Sequence, residues 1–448
     1  MPSQSAPLHF LQQFRQKLLR VFPRRADALF ELADALLLSL DPRSPVELSA
    51  SPAFRRRFSM VYDALRKGDI DEDQARQLLA EVEPTEAITI GGYAIYASDS
   101  TPQPRPAAPT LSDRSAVYST SRAGPVLGQQ HSWLGRVMAQ GQSWFAPRDL
   151  ERIATNSTPA AVAAQQVLRL ATALALGTLA VVVADSAYAN GSFLTAFVGL
   201  THLCVLVRLA QNRVLYGAPA PVAYNQVTGK RVKRGRPCVH GAQFRLKAPP
   251  PVDRQVTFSL KEVTVRVSAW YPLHFKALPQ LVGQVVRVEF LKSDGSPKYQ
   301  RPLWLFWSGA TTVALPDLCQ MYLLRFGIEH FFRFLKQHLG LHCAQSTNPT
   351  VQRNWLWTVV WAYVQLVLAR TIVTPQAHAW DPKARCDPQR PLTPGQVRQA
   401  WGAFSHGLDT PAHTPRPSGK GTGRTAGVCP APRPRYPVVS KQQTTATA

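Results

Sequence analysis

The sequence predicts an α/β fold in which helices pack on a sheet. Residues 1–85 have apolar side chains at helical spacing, and residues 87–210 alternate β-rich runs with helical segments. Residues 211–310 contain several runs that alternate in period two. Alternating strands and helices are typical of layered α/β proteins. The chain has 448 residues, which at about 150 residues per domain suggests two or three domains.

The first 85 residues predict a helical N-terminal domain. Leu29, Leu32 and Leu36 recur at the spacing of one helix face. Asp71 opens a segment with acidic residues in its first turn, which is typical of a helix start. The arginines of this region fit either solvated helix faces or a DNA-contacting surface, and both interpretations stay open.

Residues 86–370 are predicted to form an α/β domain with an antiparallel β insertion at about 211–310. Two β-rich runs are expected to end at Asp99 and Asp185, with a helix over 159–176 between them. The insertion rests on period-two runs at 256–260, 263–270 and 285–290. One continuous helix is predicted over 315–341. The proline-rich, basic segment 371–448 has few apolar residues to bury and predicts a mostly disordered tail.

The charge balance points to a polyanionic partner. The chain has 51 Lys and Arg but only 27 Asp and Glu, which gives a net charge of +24. Nucleic acid is therefore the first expectation and an anionic membrane surface the second. No run of about 20 uninterrupted apolar residues and no secretory signal is present, so we expect a cytoplasmic protein without a membrane partner. The six cysteines are far apart and predict free thiols rather than disulfides or a zinc finger.

A charged stripe is predicted on the helix at 315–341. Tyr322, Arg325, Glu329 and Lys336 follow each other at i, i+3, i+7 and i+14, so they share one face of a continuous helix. A salt-bridged helix face would explain this stripe. Two aspartates at strand ends and a glutamate on a later helix can instead converge on a metal site, because Mg²⁺ prefers oxygen ligands. Two such ions about 4 Å apart assist phosphodiester displacement.

The same four residues match a family motif. Their intervals fit the Y-(2)-R-(3)-E-(6)-K pattern, and residues 85–370 resemble bacterial insertion-sequence DDE transposases. The resemblance implies an RNase H-like catalytic core with a β domain inserted between the second aspartate and the glutamate. It implies that Asp99, Asp185 and Glu329 hold two Mg²⁺ or Mn²⁺ ions and are catalytic.

The resemblance also implies residues that contact DNA near the cleaved end. These are Tyr322, Arg325 and Lys336, and Arg333 on the same segment is a further candidate. The basic cluster at 230–237 contains an Arg-Gly-Arg-Pro run. Its Arg234 and Arg236 fit either insertion into an A·T-rich minor groove or a basic surface loop.

Two assignments carry alternatives. Asp113 is a second choice for the first aspartate, although it precedes Arg114 in a loop-like stretch. Trp270 fits either a core position or a stacking platform for a flipped base.

The sequence therefore predicts a DNA transposase. We expect it to bind terminal inverted repeats, to cut them with two divalent ions and to join the 3′-OH ends to target DNA. We also expect a homo-oligomer on DNA, and the resemblance places it at the bacterial nucleoid. The alternatives are a catalytically decayed DNA-binding protein and an RNase H-fold nuclease without strand transfer.

Overall fold

The computed structural model of the protein describes residues 5–118, 124–138, 143–221, 226, 238–374, 391–416 and 432–439. By their internal contacts these residues fall into two compact units. Unit 1 takes its residues from Met1–Glu86, Ser100–Ser157 and Gly327–Ala448, and unit 2 from Ala87–Asp99 and Thr158–Phe326. This division differs from the predicted domains 1–85, 86–370 and 371–448, which stay a prediction of functional organisation.

The helices and strands alternate along most of the chain. The helices are α1 (Ser5–Arg20), α2 (Ala26–Leu38), α3 (Ser59–Lys67), α4 (Glu72–Glu81), α5 (Pro159–Ala173), α6 (Gly191–Leu194), α7 (Leu315–Leu323), α8 (Phe326–Gln337), α9 (Pro349–Ala369) and α10 (Pro394–Ser405). The strands are β1 (Thr89–Ile90), β2 (Tyr93–Pro104), β3 (Ser115–Tyr118), β4 (Pro125–Val137), β5 (Phe145–Ile153), β6 (Leu179–Ala184), β7 (Leu203–Arg208), β8 (Val214–Tyr216), β9 (Gln243–Arg245), β10 (Arg254–Leu260), β11 (Val263–Phe275), β12 (Leu278–Leu291) and β13 (Leu303–Trp307).

Unit 1 is built around α9, which is buried along nearly its whole length. A helix that is apolar all round needs partners on every side, and α1, α2, α3, α10 and β5 supply them. The antiparallel strands β4 and β5 cover a second aromatic layer, where Trp133 and Phe145 pack on Phe331. The predicted helical character of residues 1–85 is confirmed by α1–α4, and Asp71 caps α4 by accepting from the backbone of Asp73 and Gln74.

Unit 2 holds three adjacent parallel strands, with β6 between β2 and β7. The strands predicted for the insertion are antiparallel, as expected: β10 pairs with β11, β11 with β12, and β12 with β13. However, β13 also pairs with β7. The hydrogen-bonding edge of β7 is thereby covered, so these strands continue the sheet of the parallel strands rather than packing apart from it.

The structure corrects two local predictions. The predicted helix over 315–341 breaks at Leu324 and Arg325, which separate α7 from α8. Asp99 does not end a strand, because β2 continues to Pro104. The mostly disordered character of segment 371–448 stays a prediction, and the described residues of this segment include α10. Pro394 starts that helix, Thr393 and Gln396 form a capping box, and Trp401 is buried.

Within the described residues, no helix is both long enough and apolar enough to cross a membrane. The four cysteines of that part of the chain, Cys204, Cys238, Cys319 and Cys343, are free thiols as predicted. Cys386 and Cys429 lie outside the described residues.

Candidate active site

The register of two neighbouring parallel strands of unit 2 places Asp99 of β2 level with Asp185, the residue that follows β6. The last paired positions of β2 and β6 are Ala97 and Val183. Each aspartate follows two residues later, and side chains two apart in an extended chain point to the same face. Asp185 keeps an extended backbone (φ −81°, ψ −175°), so the register places both carboxylates at one level.

Asp185 follows the end of β6, as predicted from the apolar run before it. Its carboxylate accepts a hydrogen bond from the backbone of Ala187 at 2.8 Å and caps the short 3₁₀ helix Ser186–Tyr188. This contact fixes the side chain at the strand end.

Arg325 forms an ion pair with Asp99. Its Nη1 lies 3.1 Å from Oδ2 of Asp99, and the side chains are 12% and 21% exposed. The guanidinium carbon also lies 6.0 Å from the ring centre of Tyr322 and 5.9 Å from that of Phe326. The loop between α7 and α8 therefore holds a half-buried cation directly on the first predicted metal ligand.

Tyr322 links this ion pair to the second aspartate. Burial raises the pKa of its hydroxyl, the nearby charges of Arg325 and Arg208 oppose that shift, and Asp185 adds to it. The hydroxyl also hydrogen-bonds to Arg325. Two predicted DNA-contacting residues and two predicted metal ligands therefore lie in one electrostatic cluster of unit 2.

Arg208 is a member of this cluster that sequence reasoning missed. It is the last residue of β7, and the parallel register pairs Ala184 with Val207. Arg208 is therefore level with Asp185 on the next strand, and it is exposed. The signal in the sequence was an apolar run that ends in a charged residue, as the run before Asp185 does.

The remaining motif residues belong to α8. Glu329 is in its first turn and Lys336 in its last turn, which suits the helix dipole. Lys336 lies 5.8 Å from the ring centre of Phe332, and Arg333 is exposed. Tyr322 and Arg325 belong to unit 2, whereas Glu329, Arg333 and Lys336 belong to unit 1. The convergence of Glu329 with the aspartates stays a prediction.

The carboxylates of the candidate site are the donors available for a metal ion. In the described part of the chain, no three His, Cys, Asp or Glu side chains are grouped closely enough to hold a metal ion. Asp99 and Asp185 supply the hard oxygen donors that Mg²⁺ prefers. The donor chemistry fits, and the guanidinium of Arg325 neutralises part of that negative charge in this state.

The structure bears on two of the alternatives that the sequence left open, Asp113 as a metal ligand and Trp270 as a stacking platform. Asp113 forms an ion pair with Arg152 and accepts from the backbone of Thr155 at 2.9 Å, which gives it a structural task. Trp270 is buried and donates to the carbonyl oxygens of Pro250 and Pro251, which confirms the core interpretation. The basic cluster 230–237, with Arg234 and Arg236, lies outside the described residues.

Two aspartates at one level on neighbouring parallel strands, with arginines nearby, have the chemistry that metal-assisted phosphodiester cleavage uses. The sequence profile of the DDE superfamily endonucleases matches residues 17–274, which is more than half of the chain. The chain therefore belongs to this family, whose members typically use divalent metal ions. The match includes Asp99, Asp185 and Arg208 and ends before Tyr322. No curated protein matches the sequence.

Proposed function

We propose that the protein is a transposase of the DDE type, which cuts DNA at the ends of its element and joins those ends to target DNA. The observation that carries this proposal is the level placement of Asp99 and Asp185 on parallel strands, with Arg325 and Tyr322 beside them. This arrangement within the matched family supplies carboxylates for metal and cations for phosphate.

In this proposal Asp99, Asp185 and Glu329 hold two Mg²⁺ or Mn²⁺ ions. When bound, these ions would activate the attacking oxygen and stabilise the leaving one. Binding and orienting the DNA phosphate is the role of the protein's own side chains. Arg208, Arg325 and Tyr322 hold the phosphate in line, since guanidinium groups bind phosphate oxygens in a fork geometry.

The ion pair of Arg325 with Asp99 gives this site two states. In the free protein the guanidinium lies 3.1 Å from the carboxylate. A DNA phosphate competes for the same guanidinium, so DNA binding would release Asp99 for a metal ion. In this exchange the guanidinium of Arg325 moves from Asp99 to a phosphate, and the carboxylate of Asp99 moves from Arg325 to a metal ion, so neither charge is left without a partner.

The partners that we propose are DNA and further copies of the chain. The excess of basic residues favours phosphate contacts, and Arg333 and Lys336 extend them along α8. Arg234 and Arg236 are proposed to contact DNA, either in an A·T-rich minor groove or at the phosphates as part of a basic loop. Pairing of two transposon ends requires an oligomer on DNA.

The second candidate is a DDE nuclease that cuts without joining, which the family match supports equally well. A decayed transposase that only binds DNA is the third. Incubation with DNA that carries the terminal inverted repeats, with Mg²⁺ or Mn²⁺, separates them. Nicks followed by joined products support the transposase, nicks alone support the nuclease, and binding alone supports the decayed protein.

Variants test the assignment of the catalytic carboxylates. Asp185→Ala and Glu329→Ala are expected to abolish cleavage while end binding in a gel-shift assay stays intact. Asp294→Ala is the matched control, because Asp294 is an exposed turn residue of unit 2 whose carboxylate bonds to the backbone of Ser296. Unchanged metal-dependent nicking by Asp185→Ala and Glu329→Ala would refute the triad.

A further inference from the structure

A cavity of about 310 Å³ lies wholly within unit 1. We call it the polar cavity, and its walls are the β4–β5 pair, the first half of α9 and Glu72 of α4. Its volume is at the lower limit of small-molecule sites, which begin at about 300 Å³. It shares no residue with the candidate active site.

Five buried polar atoms of its walls lack a hydrogen-bond partner. They are Nε2 of Gln129, Nδ1 of His131, Nε of Arg152, Oε1 of Gln352 and Nε of Arg353. Gln129, His131 and Gln352 are each more than nine-tenths buried. Buried polar groups are normally paired, so this concentration of unpaired atoms around one cavity indicates a ligand.

The fold holds these groups in fixed positions. Gln129 and His131 are two apart on β4, and His131 faces Arg152 across the antiparallel pair. Nε2 of Gln352 donates to the backbone oxygen of Ser346 at 2.5 Å. Because that partner can only accept, the amide orientation is set and Oε1 is the free acceptor.

Arg353 and Arg152 each form an ion pair through a terminal guanidinium nitrogen. Arg353 contacts Asp69 at 2.5 Å, and Arg152 is paired with Asp113. The charges of both arginines are therefore already compensated, and Nε of each lacks a partner. Glu72 is likewise paired with Arg76 at 3.2 Å, so the wall holds no surplus of positive charge that would favour an anion such as free phosphate.

The chemistry of the walls selects a neutral, flat ligand. Burial, with Arg105 and His342 nearby, lowers the pKa of His131 to about 3, so its ring is neutral at physiological pH. Leu150, Leu356 and Trp357 supply apolar surface beside the polar atoms. A planar heterocycle with both hydrogen-bond donors and acceptors complements this wall.

We propose that the polar cavity binds a nucleobase. The amide of Gln129 would donate to a ring or carbonyl acceptor of the base, and Oε1 of Gln352 would accept from its exocyclic amine or imide. The base can belong to a free nucleoside or to a nucleotide turned out of a DNA strand. The second source rests on the proposed function, because it requires DNA on the protein.

The test uses the full chain in the Asp185→Ala background without divalent metal, so that it does not depend on cleavage. Titration with 2-aminopurine deoxyriboside is followed by fluorescence, and the four natural deoxynucleosides compete. Gln352→Leu and Gln129→Leu are each expected to weaken binding about tenfold or more, because the base then meets an apolar group. Gln345→Leu is the matched control, since Gln345 is exposed and bonds to the backbone of His342.

A second experiment uses a series of DNA duplexes, each with one 2-aminopurine at a different position of the bound region. A fluorescence rise that Gln352→Leu abolishes shows a base turned out of the strand, whereas binding of the free nucleoside alone shows the other source. The proposal is overturned if neither probe responds, or if both Gln→Leu variants, shown to be folded by circular dichroism, bind as Gln345→Leu does. Failure here leaves the cleavage assays of Asp185 and Glu329 unaffected.

Discussion

The candidate active site of unit 2 and the polar cavity of unit 1 differ in how their polar groups are paired. In the active site the charges compensate each other, as Arg325 does for Asp99. In the polar cavity, atoms such as Nε2 of Gln129 have no partner. In the candidate active site, existing ion pairs must break before a ligand can bind. In the polar cavity, the unpaired polar atoms are already in place for a ligand. Substitutions in the two sites should therefore change stability in opposite directions.

The largest expected effect is the difference in cleavage rate between the variants Asp99→Asn and Asp113→Asn. Loss of a metal ligand removes several kcal/mol of transition-state stabilisation, so Asp99→Asn should lower the cleavage rate by roughly 10³-fold or more. Asp113→Asn should stay within about twofold in cleavage rate, because Asp113 is occupied by Arg152 and the backbone of Thr155. Single-turnover cleavage of end-containing DNA with Mn²⁺ measures both.

The unfolding midpoint in urea is the control for this pair of variants. Asp113→Asn should lower it, because an ion pair and a backbone contact are weakened. A loss of cleavage in Asp113→Asn with normal folding would transfer the role of first metal ligand to that residue.

Part of this site was predictable from sequence, because local pattern decided it. The run Leu179–Ala184 is apolar throughout, so both the strand and the position of Asp185 at its end followed. The same reasoning failed at Asp99, since polar residues and Pro102 suggested a strand end. The second half of β2 instead contacts β4, where Gln130 donates to Ser100. A partner so distant along the chain cannot be predicted from the local sequence pattern.

Periodicity also could not reveal the break between α7 and α8. The apolar spacing continues through Leu324 to Ile328, so the stripe from Tyr322 to Lys336 seemed continuous. The break places Arg325 in a turn beside Asp99. By contrast, α10 could have been found, because Thr393, Pro394 and Gln396 form a standard helix start that the proline-rich composition concealed.

The second largest effect concerns pH and the polar cavity. The pKa of His131 is about 3 in the folded protein, against about 6.5 in an unfolded chain. Between these values the unfolded state binds more protons, so the free energy of unfolding falls as pH falls from 6.5 towards 3. This contribution is fully present above pH 6.5, and its complete loss would lower the free energy of unfolding by at most about 5 kcal/mol.

Urea unfolding at several pH values checks this prediction. His131→Gln cannot titrate, so its stability should fall less steeply below pH 6.5 than that of the unmodified chain. His330→Gln is the control, because His330 is exposed on α8. Equal slopes for His131→Gln and the unmodified chain would show that the ring is not held neutral in the cavity wall.

A smaller effect is expected from the cation on Asp99. Arg325→Gln removes a positive charge 3.1 Å from the carboxylate, so the affinity for Mn²⁺ without DNA should rise about tenfold at low salt. Arg325→Lys keeps the charge and should change the affinity much less. Electron paramagnetic resonance of free Mn²⁺ measures binding independently of cleavage. Equal affinities in all three proteins would show that the ion pair does not limit metal access.

The smallest effect tests the contrast in stability between the two sites. Replacing an unpaired buried amide with an apolar side chain of similar size removes a desolvation penalty, so Gln129→Met should raise the free energy of unfolding by about 1 kcal/mol. Arg325→Met deprives Asp99 of its guanidinium and should lower the free energy of unfolding by about the same amount, because the pair is partly exposed. Urea unfolding followed by tryptophan fluorescence compares both with the unmodified chain. A destabilised Gln129→Met would mean that this amide supports the fold through a bound partner. If Gln129→Met is instead stabilised and no longer binds 2-aminopurine deoxyriboside, the amide is retained for its ligand at the expense of stability.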